Sequence, residues 1–138
     1  MERFLKAQEN SYNIALNEIK NGRKKSHWIW YIFPQLSGLG RSSTAEYYGI
    51  KDIDEAKKYL ENELLRSRLI EISETMFSLN DTAVNIFGYT DSMKVRSCMT
   101  LFHMADPSEE IFGKIIDKFY DGNHDNMTLD IIKKGKNL

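Results

Sequence analysis

Residues 22–43 read GRKKSHWIWYIFPQLSGLGRSS and concentrate cations beside both tryptophans of the chain. Arginine and lysine bind phosphate, arginine as a two-pronged donor and lysine as a point charge. Flat aromatic side chains can stack on a nucleotide base. Two interpretations follow: a pocket that grips a flat, anionic ligand, or a core segment with a basic rim, because aromatic side chains are commonly buried.

The serine-rich end of this segment strengthens the first interpretation. Ser42 and Ser43 precede a predicted short helix, and amide and hydroxyl groups at a helix start are a natural seat for an anion. Asp91 and Lys94 form a second polar group, three residues apart on another predicted helix, where they can pair on one face. Taken alone, that pair is typical of a capping acid and a surface ion pair. Together the two segments predict one ligand-binding pocket, lined by Lys25, His27, Trp28, Gln35, Arg41, Ser42, Tyr48, Asp91 and Lys94.

Metal and nucleophile chemistry are not expected. Residues 121–132 begin like a calcium loop, but Asn126 stands where glycine is required and Ile132 where a glutamate is required. The three histidines lack the paired spacing of zinc ligands. Cys98 lies beside Met99 on an apolar helical face, which indicates a small buried side chain. We therefore expect neither a metal nor a cofactor.

Composition narrows the class of protein. A chain of 138 residues, 41% apolar and 28% charged, is typical of one globular domain. The formal charge of −1 disfavours binding to duplex nucleic acid. The first ten residues lack the apolar core of a signal peptide, and no apolar run reaches membrane-spanning length. With a single cysteine, these features predict a cytoplasmic protein without a membrane partner.

Apolar spacing of three to four residues predicts helix after helix. The first runs over residues 2–20 and ends at a glycine turn. Residues 27–33 are apolar on all sides and predict either a short buried helix or a buried strand. Ser42 or Ser43 caps a short helix, and Asp52 with Glu55 forms a capping box. An apolar stripe from Ala56 to Met76 then predicts one long helix, or two with a break near Asn62.

Further start signals divide the second half of the chain. Three further caps are expected: Asp81, then Thr90 or Asp91, then Asp106, which is followed by Pro107 at the first helical position. A last short helix is expected to start at Thr128. The lysine-rich tail, residues 133–138, is expected to fray. The predicted fold is all-α: one compact multi-helix domain over residues 1–138, with a buried tryptophan-rich segment and short connecting loops.

Five blocks of the chain resemble, in order and spacing, the domain-of-unknown-function 1810 family: GRKKSHWIWYIFPQLSGLG, EAKKYL, RL, IFGYTDSMKVRSCMTLF and KFYDG. The resemblance extends over about residues 3–129. It implies a small helical protein but supplies no established catalytic residue. Some members carry the label calpastatin, which suggests a protease inhibitor; calpastatin repeats are disordered before binding, whereas this chain has the composition of a packed domain. The family's motifs include Lys25, His27, Trp28, Trp30, Pro34, Gln35, Gly38, Gly40, Asp91, Lys94, Thr100 and Phe102.

The chain departs from the family pattern at two places. Asn62–Glu63 stands where relatives often have His-Pro, which weakens any essential role for a histidine there. Cys98 stands where serine is common.

Three functions remain open at this point. The first is a binding module that holds a nucleotide-derived anion, such as an ADP-ribose derivative or a cyclic nucleotide. The second is an enzyme that removes ADP-ribose, with Asp91 or His27 as acid or base and Lys94 holding charge. The third is a protein-interaction domain that uses exposed aromatic side chains. Because no nucleophile–base pair is visible, the sequence favours binding of a small anionic partner over turnover.

Overall fold

A computed structural model describes residues 1–136, and it confirms the all-α fold. Within this range the chain forms ten helices and one isolated parallel bridge, between Leu36 and Ile50. The helices are α1 (Glu2–Gln8), α2 (Tyr12–Lys20), α3 (Ile29–Ile32), α4 (Ser43–Tyr48), α5 (Ile53–Glu61), α6 (Glu63–Phe77), α7 (Ala83–Phe87), α8 (Tyr89–Ala105), α9 (Glu110–Tyr120) and α10 (Asn126–Lys136).

Helix α8 lies at the centre of the domain and packs against α3, α5, α7, α9 and α10. Val95, Cys98, Met99 and Phe102 are buried on it, as their shared helical face predicted. Thr100 on the same helix is also fully buried and donates to the carbonyl of its own preceding turn. A helix buried on most sides is a rigid support, so polar residues near its start are held in fixed positions.

The predicted helix over residues 2–20 is in fact two helices, α1 and α2. Residues 9–11 form a turn, and the Ser11 hydroxyl donates to the Ala7 carbonyl at 2.6 Å. Serine and asparagine compete with helical hydrogen bonding in this way, which the apolar spacing does not reveal. The break allows Tyr12 to reach α6, where its hydroxyl donates to the Arg68 carbonyl at 3.0 Å.

Two predicted caps and one predicted break between helices are observed. Ser42 accepts from the Ala45 amide at the start of α4, and Asp52 accepts from the Glu55 amide at the start of α5. Asn62 separates α5 from α6 and accepts from the Leu65 amide, which confirms the break expected there. Residues 29–32 of the apolar segment are helical, so the choice left open between helix and strand is decided in favour of helix.

Four predicted helix starts were displaced, those of α7, α8, α9 and α10. Thr82, not Asp81, caps α7, and Gly88, with φ of 81°, precedes α8, so Asp91 lies in the first turn of that helix. Helix α9 starts at Glu110 because the Asp106 carboxylate accepts from the Ser108 amide at 3.2 Å and so closes a turn.

The last helix begins earlier than predicted. Helix α10 starts at Asn126, and the Asp125 carboxylate accepts from the Thr128 amide at 3.1 Å inside its first turn. Residues 133–136, part of the tail that was expected to fray, continue this helix. The remainder of the tail expected to fray, residues 137–138, lies outside the described residues.

Candidate functional site

A single carboxylate organises the loop after α2. Glu18 on α2 accepts hydrogen bonds from the Lys25 amide at 2.7 Å, the Ser26 amide at 2.9 Å, the Ser26 hydroxyl and the Trp28 indole Nε1 at 2.9 Å. Burial acts to raise the pKa of the Glu18 carboxyl, but the hydrogen bonds from Ser26, Lys25 and Trp28 outweigh it and lower the pKa to about 2. The loop is therefore tied to an ionised carboxylate along most of its length.

This loop presents Lys24 to α8. The Lys24 amide donates to the Ile86 carbonyl of α7 at 2.8 Å, and its Nζ lies 2.9 Å from Oδ2 of Asp91. The same Nζ donates to the Ser26 carbonyl at 2.6 Å. The Lys24 side chain is only 8% exposed. A lysine ammonium is seldom so enclosed unless it is paired, and here the carboxylate of Asp91 supplies the pair.

Asp91 holds a second lysine from its own helix. Nζ of Lys94 lies 3.1 Å from Oδ1 of Asp91, so each carboxylate oxygen carries one ammonium group. Burial acts to raise the pKa of the Asp91 carboxyl, but Lys24 and Lys94 outweigh it and hold the pKa below its usual value. Asp91 is therefore ionised near neutral pH.

Lys94 also lies over an aromatic ring. Its Nζ is 4.2 Å from the centre of the Trp30 ring, a cation–π contact. Gly40 packs against the rim of the same indole: a Cβ built on Gly40 would lie 3.0 Å from Cη2 of Trp30. The indole is thus held between a glycine and an ammonium group, half-buried at the surface.

These groups surround a cavity of about 370 Å³ between the loop, α3, α4 and the start of α8. Tyr31 borders it, and its hydroxyl donates to the His27 carbonyl at 3.2 Å. With His27 counted as neutral, the two lysines and one aspartate give the lining a formal charge of +1. We call this cavity the Trp30 cleft; it is lined by Lys24, His27, Ile29, Trp30, Tyr31, Thr44, Asp91 and Lys94.

Three of the nine predicted site residues line the Trp30 cleft: His27, Asp91 and Lys94. Lys25 and Arg41 do not line it, and both side chains are exposed. In the part of the chain that the structure describes, only the backbone amide of Lys25 is engaged, by Glu18. Expecting these two cations in one pocket was wrong, because in irregular loops the direction of a side chain depends on tertiary hydrogen bonds.

Trp28 was expected in the pocket but belongs to the core. It is 2% exposed and packs near Phe33 and Phe87, with ring centres 6.2 and 6.5 Å away. Its one polar atom is satisfied by Glu18. A sealed indole cannot stack on a ligand, so the core interpretation applies to Trp28, whereas the partly exposed Trp30 borders the cleft.

The other three predicted residues have structural surroundings of their own. The Ser42 hydroxyl caps α4, and Tyr48 packs between Phe4 and Tyr31, at 6.0 and 5.1 Å between ring centres. Gln35 is 5% exposed; its carbonyl accepts from the Ile50 amide next to the isolated bridge, and its Nε2 has no hydrogen-bond partner within residues 1–136. None of the three borders the Trp30 cleft.

Sequence reasoning left Lys24, Trp30, Tyr31 and Thr44 out of the predicted set. All four lie in or beside the basic, aromatic segment of residues 22–43. The sequence therefore identified the segment that borders the cleft but not the individual residues that line it. Lys24 precedes the predicted Lys25, and Trp30 follows the predicted Trp28 by two positions, but no periodic pattern distinguishes them from their neighbours, because the loop is irregular and Trp30 lies in the single turn of α3.

Other cavities differ from the Trp30 cleft in charge. One of about 530 Å³ between α5 and α10 is lined by Lys51, Lys57, Asp52 and Asp54, whose formal charges cancel, together with apolar residues. One of about 460 Å³ along α6 carries three glutamates and one arginine. Of these three, the Trp30 cleft combines a net positive charge with aromatic side chains, as an anionic, flat ligand requires.

Within residues 1–136, no three histidine, cysteine, aspartate or glutamate side chains are grouped so that they could hold a metal ion. Nor does any helix in this range have the length and apolar character needed to cross a membrane.

The fold and the cleft define a class: a single all-α domain with a small basic and aromatic cleft beside its central helix. The chain belongs to the family described as "Protein of unknown function (DUF1810)", whose model matches residues 1–132. The resemblance drawn from the sequence blocks is thereby confirmed. No curated protein matches the chain.

A solved structure supports the same fold. The chain is similar to the conserved hypothetical protein Rv1873 from Mycobacterium tuberculosis, known from a crystal structure at 1.38 Å, with 38% sequence identity and a TM-score of 0.94. The match covers 96% of this chain and 95% of that chain. The helical arrangement is therefore shared over nearly the full length of both proteins.

Proposed function

We propose that this protein binds a small nucleotide-derived anion in the Trp30 cleft. One observation carries the proposal: Lys24 and Lys94, from different elements, converge on opposite oxygens of Asp91 at 2.9 and 3.1 Å beside the face of Trp30. An isolated surface ion pair needs no such arrangement, whereas a fixed cationic centre next to an aromatic ring suits an anion with a planar substituent.

Some N–H donors of the two lysine ammonium groups are not used by Asp91 or the Ser26 carbonyl. An ammonium group has three donors. Lys24 uses two, toward Asp91 and the Ser26 carbonyl, and Lys94 uses one toward Asp91. Each therefore retains a donor for a ligand. Thr44 lines the same cleft, and its hydroxyl group is a further hydrogen-bond donor. Because Asp91 fixes both ammonium groups beforehand, little side-chain entropy remains to be lost on binding.

Size and shape favour a compact ligand. The volume of about 370 Å³ lies near the lower end of the range of about 300–1,000 Å³ for small-molecule sites. A mononucleotide suits this volume better than a dinucleotide. One face of Trp30 is covered by Lys94, so Tyr31, His27 and the indole edge supply the remaining contacts for a base.

Binding explains the cleft better than turnover does. Asp91 is ionised by its two lysines and has no proton to donate near neutral pH, which removes it as a general acid. Both lysines are engaged with it. We accordingly place the protein among ligand-holding modules and, consistent with its single buried thiol, in the cytoplasm.

Thermal unfolding with nucleotides tests the proposal. A ligand that binds only the native state raises the melting temperature by mass action. We expect anionic nucleotides to raise it, uncharged adenosine to have little effect, and salt to weaken the stabilisation. Lys94→Gln should weaken binding by about 1.5–3 kcal/mol, as expected for a hydrogen bond to a charged group.

Lys25→Gln is the matched control, since it removes the same charge one residue from Lys24 but outside the cleft. Equal losses in both variants, or no stabilisation by any anionic nucleotide, would contradict the proposal. Analysis of the nucleotide after incubation separates binding from turnover: an intact, recoverable ligand supports a binding protein, and an altered one supports an enzyme.

A further inference from the structure

We infer that the anion held in the Trp30 cleft carries a single negative charge, as in the phosphodiester of a cyclic mononucleotide, and not the two charges of a phosphate monoester or a diphosphate. This inference rests on the proposed function, because it concerns the same cleft. It is drawn from the charge, the free donors and the volume of that cleft.

Charge is the first argument. The lining has two lysines and one aspartate, a formal charge of +1 with His27 counted as neutral. One negative charge on the ligand brings the total to zero. A second would be uncompensated and would lie near the Asp91 carboxylate, whose ionised form is held by both lysines. Like charges placed together in a binding site oppose binding, so the second charge lowers affinity.

The donors are the second argument. After their contacts with Asp91 and the Ser26 carbonyl, Lys24 retains one ammonium donor and Lys94 retains two. A phosphodiester has two oxygens that are not bonded to carbon, and one donor from each lysine can meet them from two sides.

Volume is the third argument. About 370 Å³ admits a mononucleotide near the lower limit for ligand sites. Ring closure through the phosphate makes a cyclic mononucleotide the more compact form, and it has fewer torsions to immobilise on binding. ADP-ribose has a second ribose, which makes it too large for the cleft, and a diphosphate whose two charges exceed the single positive charge of the lining.

Matched pairs of nucleotides test the inference without knowledge of the base. Titration calorimetry at pH 8 compares each of the 3′,5′-cyclic forms of AMP, GMP, CMP and UMP with its own 5′-monophosphate, and includes ADP-ribose. At this pH a phosphate monoester has lost its second proton, whose pKa is about 6. For the base that binds best, we expect the cyclic form to bind at least about tenfold more tightly than its monoester.

Two variants shift the charge in opposite directions. Asp91→Asn raises the formal charge of the lining to +2 and should reduce the preference for the cyclic form. Lys94→Gln lowers it to zero and should weaken the monoester more than the cyclic form. Asp91→Asn leaves the enclosed Lys24 unpaired and so can fail to fold. In that case the matched nucleotide pairs, measured on the wild type and on Lys94→Gln, still test the inference. Lys25→Gln should leave the preference unchanged.

The outcomes are distinguishable. Binding of a monophosphate or ADP-ribose as tightly as any cyclic nucleotide overturns this inference and leaves the proposed function standing. A wild-type preference that neither charge variant alters also overturns it. If none of the nine compounds binds, the proposed function fails and this inference fails with it.

Discussion

The indole Nε1 of Trp28 donates a hydrogen bond of 2.9 Å to Oε1 of Glu18. This contact ties the buried tryptophan of the core to the same carboxylate that accepts hydrogen bonds from the amides of Lys25 and Ser26. The loop between α2 and α3 is consequently fixed at several points. Because Lys24 and His27 lie within it, the position of two cleft residues depends on a glutamate that does not line the cleft.

Glu18→Gln should destabilise the protein by about 1.5–3 kcal/mol at pH 7, the usual cost of losing hydrogen bonds to a charged group. The amide that replaces one carboxylate oxygen is a donor and would face other donors from the loop. Urea unfolding measures the loss. Glu9→Gln is the matched control, because Glu9 is exposed and its side chain makes no hydrogen bond within residues 1–136. Equal stability of the two variants would show that Glu18 does not hold the loop.

The contribution of Glu18 should depend on pH. Its pKa in the folded protein is about 2, below the value of about 4.3 for an unperturbed glutamate. Its ionised form therefore adds stability above about pH 4.3, and this contribution is lost as the pH falls toward 2. The difference in unfolding free energy between wild type and Glu18→Gln should shrink over that window. A difference that is constant from pH 7 to pH 2.5 would rule out this linkage.

Gly40→Ala should destabilise the protein by about 1–3 kcal/mol, the range for overpacking. A Cβ at Gly40 would lie 2.7 Å from Cβ of Ala45 and 3.0 Å from Cη2 of Trp30, so the indole or α4 must move. Gly135→Ala on α10 is the control, because a Cβ there meets nothing within 4 Å and alanine favours helix by about 0.5–1 kcal/mol. Thermal unfolding should shift in opposite directions for the two variants; a neutral Gly40→Ala would mean that the contact is loose.

Cys98 should be unreactive in the folded protein. It is fully buried on α8, and burial raises the pKa of its thiol well above the usual value, so little thiolate exists to react. Labelling with a disulfide reagent should be slow in buffer and should increase with urea in parallel with unfolding. Rapid, complete labelling without denaturant would indicate that α8 is accessible in the native state.

Local signals explain what could be predicted of the fold. Ser42 and Asp52 cap helices as expected, and the expected break occurs at Asn62, because each of these residues forms its bond within three residues of itself. The apolar face of α8 was also identified from spacing. The helix start predicted at Asp106 was wrong. The Asp106 carboxylate accepts a short-range hydrogen bond from the Ser108 amide, which forms a turn from the residues that could have started a helix.

The sequence by itself determined the helical class, most of the helices and the segment that borders the candidate cleft, since periodicity and caps act over a few residues. Only the tertiary structure decided that Lys24 and Trp30 face the cleft while Lys25 is exposed and Trp28 is buried. That choice depends on Glu18, Ile86 and Asp91, which lie on three different helices. In an irregular loop no repeating backbone geometry fixes the direction of a side chain, so contacts between residues distant in the chain must fix it.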